Sequence, residues 1–155
     1  GSFNINARYK KFDLTANFAY QIGGYVYDTQ YQSLMNAGDA GHNWHKDIFD
    51  RWTPENRYTN VPRLQEGSLD QSAQGDYALT SASYLSLRNV TLGYTFPSSM
   101  VGKLGIQKLR VYVVGDNMFL WSKRKGLDPR QSFTGDTGYN YSAMRTISLG
   151  INMEF

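Results

Sequence analysis

The sequence predicts an all-β fold: antiparallel up-and-down strands forming the C-terminal portion of a large outer-membrane β-barrel, with short helices in a long extracellular loop. Three observations predict it. The first is the alternation that ends the chain, with Ile147, Leu149, Ile151, Met153 and Phe155 set between Thr146, Ser148, Gly150, Asn152 and Glu154. Side chains on a strand point to opposite faces in turn, so one face of this segment is apolar and the other tolerates water. The second is that four more segments carry a comparable pattern. The third is the length of the connections, which run short, long, short, long, the rhythm of a barrel with tight turns on one side of the membrane and long loops on the other.

In chain order, the first strand is expected over about 3–10, with Phe3, Ile5, Ala7 and Tyr9 on one face against Asn4, Asn6, Arg8 and Lys10. The second, about 12–22, sets Phe12, Leu14, Ala16, Phe18, Tyr20 and Ile22 opposite Asp13, Thr15, Asn17, Ala19 and Gln21. Only Lys10-Lys11 lies between them, which predicts a tight hairpin. The third, about 83–96, presents Val90, Leu92, Tyr94 and Phe96 on one side, and Pro97 stops it. The fourth, about 107–119, is apolar on both faces, so its outward side stays open. The fifth is 141–155. Counting back from Phe155, the turns at Lys10-Lys11 and 97–106 fall on the periplasmic side and the loops 23–82 and 120–140 outside.

The first of those loops is too long to be structureless. Asp28 is placed to cap a short helix in which Tyr31, Leu34 and Met35 share a face before Gly38. A second helix is expected after Asn43, with Trp44, Ile48 and Trp52 at i, i+4 and i+8, broken at Thr53-Pro54. A further helical turn is expected over 98–104.

Composition narrows the classes. With 155 residues the chain is the size of one ordinary domain, and no run approaches the roughly 18 apolar residues of a membrane-spanning helix. Barrel strands hide their lipid signal in every second residue, so this leaves a membrane barrel open. Aromatic residues make up 15%, with twelve Tyr, eight Phe and three Trp, which suits interfacial girdles and sugar- or peptide-binding surfaces. The absence of Cys rules out disulfides and thiolate metal sites. A net charge of +3 with Lys123-Arg124-Lys125 as the densest run is too little for a nucleic-acid surface. No signal peptide is expected at Gly1, and the chain reads as a fragment of a longer protein.

The run Tyr84-Leu85-Ser86-Leu87-Arg88-Asn89-Val90-Thr91-Leu92-Gly93-Tyr94-Thr95-Phe96-Pro97 resembles the late-barrel signature of SusC/RagA-type TonB-dependent outer-membrane transporters. The stretches Leu104-Gly105-Ile106, Leu109-Arg110-Val111-Tyr112 and Gly115-Asp116-Asn117-Met118-Phe119 are similar to that family's next strand. Lys125-Gly126-Leu127-Asp128-Pro129 and Arg51-Trp52-Thr53-Pro54-Glu55-Asn56 are similar to its loops. The resemblance covers essentially the whole chain. It implies a 22-stranded barrel with a plug, a segment engaging TonB, a SusD-type surface lipoprotein as partner, import of glycans or peptides, and residence in the outer membrane. The plug, the TonB-contacting segment and most of the barrel are missing from this piece, and five strands cannot close a barrel.

No catalytic constellation, phosphate loop or dinucleotide fingerprint is present, so neither an enzyme nor a cofactor is expected. His42 and His45, with Asp39 and Asp47, are more simply solvated loop residues than metal ligands. Asp13, Asp116 and Glu154 are expected to line a wet lumen rather than form an acid/base couple. The substrate-binding candidates are the loop residues Trp44, Trp52, Tyr58, Trp121 and Arg124. For Trp44 and Trp52 the buried stripe of a loop helix is the preferred reading, and Trp121 equally suits a girdle. Phe155 is the expected signal read by the barrel assembly machinery, and the lipid bilayer is an expected partner. The competing reading is a free-standing soluble β module that binds carbohydrate through exposed aromatics. A parent reading frame extending far upstream of Gly1 separates the two.

Overall fold

The computed structural model describes residues 1–35, 41, 43–64, 75–123, 126–131 and 141–155. Its strands are β1 (Ser2–Tyr9), β2 (Phe12–Gln21), β3 (Tyr25–Tyr27), β4 (Leu79–Ser81), β5 (Tyr84–Thr95), β6 (Lys108–Ser122) and β7 (Thr146–Glu154); its helices are α1 (Thr29–Met35) and α2 (Ser98–Val101). Short 3₁₀ turns cover Lys46–Asp50, Asp76–Ala78, Gly102–Leu104 and Pro129–Gln131. These elements divide into a sheet unit (Gly1–Ile22, Ser83–Ser122, Ser142–Phe155) and a loop unit (Gly23–Ala82, Lys123–Tyr141).

The sheet unit is a five-stranded antiparallel sheet in the order β1-β2-β5-β6-β7. Each strand pairs with its neighbour in the up-and-down sequence, and the loop unit's segments are excursions between β2 and β5 and between β6 and β7. The expected start of the last strand at Tyr141 moves to Thr146; before it, the Met144 carbonyl accepts a bond from Asn117 Nδ2 at 3.3 Å.

Registered partners share a face, so the pairing sorts every strand residue. One face carries Phe3, Ile5, Ala7 and Tyr9 of β1, and Phe12, Leu14, Ala16, Phe18 and Tyr20 of β2. Across β5 and β6 the same face takes Leu85, Leu87, Val90, Leu92 and Tyr94, then Leu109, Val111, Val113, Phe119 and Trp121. Ile147, Leu149, Ile151 and Met153 of β7 complete it. The register therefore assigns the outward side of β6 that its sequence leaves ambiguous.

A β-bulge makes this continuity possible. Between Asn17/Phe18 on β2 and Asn89/Leu87 on β5 the register slips by one, leaving Arg88 as the extra residue. Without it, Leu85 and Leu87 would turn to the opposite face, because a one-residue slip reverses every side chain beyond it. On β6 the same level carries Asn117 with φ of 52°, a left-handed conformation that Asn tolerates better than most residues.

Although β5 and β6 lie in the middle of the sheet, Leu92 is 50% and Val113 42% exposed on this face. A residue at such a position in a protein folded around its own core would be covered. Rings gather at the two ends of the face. Tyr94 lies 4.7 Å from Phe12 at the hairpin end; at the other end Phe3 stacks on Phe18 at 4.7 Å and Phe119 on Trp121 at 5.6 Å. From Phe12 to Tyr20 the strand climbs roughly 26 Å at ~3.3 Å per residue. A tilt of about 40° brings that to roughly 20 Å, close to the height of the apolar band between the aromatic girdles of an outer-membrane barrel.

The loop unit is built around a small cluster of its own. Asp28 Oδ1 accepts the Tyr31 N–H at 3.0 Å, the expected cap of α1, and the helix buries Tyr31 and Met35 against Ile48, with Val61, Leu64 and Tyr77 packed around them. The residue expected to end that helix, Gly38, lies outside the described residues. The second expected helix is corrected: only Lys46–Asp50 is helical, as a 3₁₀ turn, and Trp44 and Trp52 share no buried stripe. Arg51 takes an extended ψ of 155°, and the Trp52 N–H bonds to Val61 O at 2.9 Å across the loop, so the chain turns away before a second helical turn forms.

Candidate functional site

The loop unit holds its most organised non-helical stretch between Asp50 and Val61. Thr53 and Asn56 exchange backbone bonds, and Asn56 N–H also meets Thr53 Oγ1 at 3.0 Å. Asn56 Nδ2 donates to Asp50 O at 3.1 Å, and the Thr59 hydroxyl donates to the same carbonyl at 2.6 Å while accepting from Val61 N–H at 3.1 Å. Short polar side chains thus replace the missing ladder bonds and hold the turn in one conformation.

That turn carries Trp52, 41% exposed, along a groove of about 470 Å³ lined also by Thr59, Asn60, Val61, Pro62, Arg63, Asp76 and Tyr77. The groove combines two aromatic rings with one cation, one anion and short hydrogen-bonding groups, a lining able to stack on an apolar ring or sugar face while bonding its polar edge. Burial, with Tyr27 nearby, pushes the Tyr77 phenol above its ordinary pKa, so it stays a neutral donor at physiological pH.

Of the residues singled out from sequence, Trp52 alone lines this groove. Trp44 is half-exposed ahead of the 3₁₀ turn, and Tyr58, with a relative exposure of 102%, projects from the tip of the Asp50–Val61 turn. Trp121 belongs to the sheet unit, on the apolar face. Arg124 lies outside the described residues. Phe155 follows β7 and is exposed. His42 and Asp39 also lie outside them, while His45 Nδ1 accepts the Asp47 N–H at 3.2 Å and caps the 3₁₀ turn. Among the described residues no group of three His, Cys, Asp or Glu could hold a metal ion. The far wall of the groove, Asp76 and Tyr77, was not foreseen; no local pattern marks it, since only the packing of Tyr77 on the Tyr31–Met35–Ile48 cluster brings it near.

The second arrangement is the polar face of the sheet. Asp13, Asp116 and Glu154 all lie on it, each paired: Asp13 with Arg110 through two bonds of 3.1 and 2.5 Å, Asp116 with Asn89 Nδ2 at 2.7 Å, Glu154 with Lys108 at 3.0 Å. No two of these carboxylates meet, so they form no acid/base couple. Arg8, Asp13, Gly93, Tyr112 and Gly150 lie in one row across all five strands. The two glycines leave room for long neighbours to lie flat: the Arg110–Asp13 pair occupies the space a Cβ on Gly93 would take, and the Tyr112 ring that on Gly150. Arg110 in turn lies 4.8 Å above the Tyr112 ring. Arg8, Asp13 and Arg110, with Lys10, Lys11 and Lys108, border a basic concavity of about 510 Å³ at the hairpin end.

A sheet with one uncharged apolar face edged by rings, one paired polar face and long loop excursions at one end is a segment of a membrane β-barrel wall. Comparison with known proteins gives the family. The chain is 30% identical over 164 residues to TonB-dependent receptor P3 of Formosa agariphila, covering 99% of this chain and 16% of that receptor. It is 30% identical over 154 residues to TonB-dependent receptor SusC of Bacteroides thetaiotaomicron, covering 96% and 14%. Among solved structures it is similar to the RagAB peptide transporter, with a TM-score of 0.81 and 29% identity over 99% of this chain and 17% of that one. The RagAB peptide importer in its open-open state gives 0.81 and 30%. No protein-family model matches. The chain belongs to the SusC/RagA-type TonB-dependent receptors and spans about 16% of the length of the curated relatives it matches.

Proposed function

We propose that this chain is the C-terminal wall, with its extracellular loops, of an outer-membrane importer of glycans or peptides that works with a SusD-type surface lipoprotein and draws on TonB through the rest of the protein. The observation that carries this reading is the uncharged, ring-edged apolar face, uncovered in the centre of the sheet, in a chain similar throughout to TonB-dependent receptors. The apolar face meets lipid, the polar face lines the lumen, and Phe155 serves the assembly machinery. The RagAB structures are named as peptide transporters, which supports the peptide half of the substrate class. The groove beside Trp52 is the substrate-contacting part of the loop unit, because its ring is held exposed by a turn rigid before any ligand arrives.

The test is Trp52→Ala in the full-length importer, read by substrate uptake and by the amount of folded protein in the outer membrane. Uptake is expected to fall at least tenfold, the loss of roughly 1.4 kcal/mol of stacking, at unchanged membrane level. Unchanged uptake removes the groove from the substrate path. A scan of nitroxide labels along 147–154 tests the membrane reading separately: oxygen accessibility should peak at 147, 149, 151 and 153.

A further inference from the structure

The registered strand positions of the apolar face carry no charge, but two arginines stand near its loop-side rim. The Arg145 guanidinium carbon lies 5.7 Å from the centroid of the Phe119 ring, which stacks on Trp121 at an interplanar angle of 19°. Arg145 immediately precedes β7, and the Met144 carbonyl before it is held by Asn117 Nδ2, so its backbone is anchored to β6. Arg88, the extra residue of the β5 bulge, is exposed and adjoins Leu87, the registered partner of Phe119. β6 thus has an arginine on either side near the level of Phe119, Arg88 within β5 and Arg145 just before β7. Among the described residues neither arginine has an acidic partner; the acid nearest in register, Asp116, is on the polar face and bonded to Asn89.

A guanidinium is planar and weakly hydrated, lies comfortably on an aromatic ring, and presents a fork of donors that fits phosphate oxygens two at a time. Stacked tryptophan and phenylalanine at a strand end mark the depth of lipid headgroups. On the membrane reading given above, on which this inference rests, two uncompensated arginines at that depth face a phosphate-rich layer. We propose that Arg145, lying over the Phe119 ring of the Phe119–Trp121 pair, and Arg88 in the neighbouring β5 bulge form a binding site for the phosphate of an anionic membrane lipid in the leaflet on the loop side. The bulge gives the site its shape: it keeps Leu85 and Leu87 on the lipid face and inserts Arg88 next to Leu87, at the level of the ring pair.

The experiment uses the full-length importer in nanodiscs of phosphatidylcholine doped with phosphatidylglycerol, and measures the association of spin-labelled phosphatidylglycerol relative to spin-labelled phosphatidylcholine. Selectivity is expected to fall about fivefold for each of Arg145→Gln and Arg88→Gln. Arg145→Lys should fall between wild type and Arg145→Gln, because the charge survives and the fork does not. Unchanged selectivity in the double variant overturns the proposal, as does equal displacement of the lipid by inorganic phosphate, which would make this a general anion site. A nitroxide at position 149 in the same nanodiscs separates the two failures: if it is oxygen-accessible while selectivity is unchanged, the lipid site alone falls, and if it is not, the membrane reading falls with it.

Discussion

The loop unit, mostly turns and short helices, keeps a buried apolar cluster in which Met35 is 3% exposed; the sheet unit, almost wholly regular, leaves Leu92 half in the open at its centre. Regularity and burial are thus inverted relative to a water-soluble domain, where the longest strands form the core. The difference lies in what each unit takes as its apolar solvent. The loop unit supplies its own, through Tyr31, Met35 and Ile48. The sheet unit has its backbone ladder complete between neighbours but leaves a face of Leu, Ile, Val and aromatic side chains partly open, each forgoing a share of the roughly 1.5–3 kcal/mol that full burial brings until something apolar meets it.

The largest effect that would break this comparison is expected in the loop unit. Met35→Ala removes a side chain from a cluster too small to collapse around the space, at a cost of about 2–5 kcal/mol. In the full-length protein, hydrogen exchange over 29–35 should accelerate and protease should cut between 43 and 64, while amides of β5 and β6 keep their protection. Loss of protection in both units together would show that the loop cluster also supports the sheet.

A charge on either face of β7 sharpens the comparison further. Leu149 and Ser148 are neighbours on one strand and face opposite sides. Leu149→Arg places a guanidinium at mid-strand on the apolar face and is expected to cost about 2–4 kcal/mol for folding into bilayers. Ser148→Arg, on the polar face, is expected to stay within about 0.5 kcal/mol. The check is the folded fraction in lipid vesicles across a denaturant series. Equal effects would mean that the two faces share one environment.

The apolar face was largely legible because alternation is local: Ile147 to Met153, or Phe12 to Tyr20, can be read off with no knowledge of partners. Even the bulge left a trace, since the apolar positions of β5 are odd at Leu85 and Leu87 and even from Val90 to Tyr94. A single uninterrupted strand was expected there because the later, longer run dominates the pattern. The i, i+4, i+8 spacing of Trp44, Ile48 and Trp52 misled for the opposite reason: it satisfies a helical period over residues whose backbone bonds go elsewhere, to Val61 in the case of Trp52. The groove wall at Asp76 and Tyr77 and the Asp13–Arg110 pair, 97 residues apart in the chain, depend on register and packing that no local window contains.

The polar face offers the smallest and most specific test. In the row near the hairpin end glycine stands on either side of Tyr112, and Gly93 lies directly under the Arg110–Asp13 pair. A Cβ there would sit 2.5 Å from Arg110 Nη2 and 2.6 Å from Asp13 Oδ1, so the guanidinium and the carboxylate must both shift. Because those atoms are the far ends of flexible side chains, the backbone can stay in place and the cost falls on the pair itself. Gly93→Ala is therefore expected to lower stability by about 1–3 kcal/mol through overpacking and a loosened ion pair. The same substitution in an Asp13→Asn, Arg110→Met background should cost distinctly less, because the pair it displaces is gone. A double-mutant cycle on denaturant midpoints in detergent measures the difference, and a coupling energy near zero would show that Gly93 serves the strand's backbone rather than the side chains lying across it.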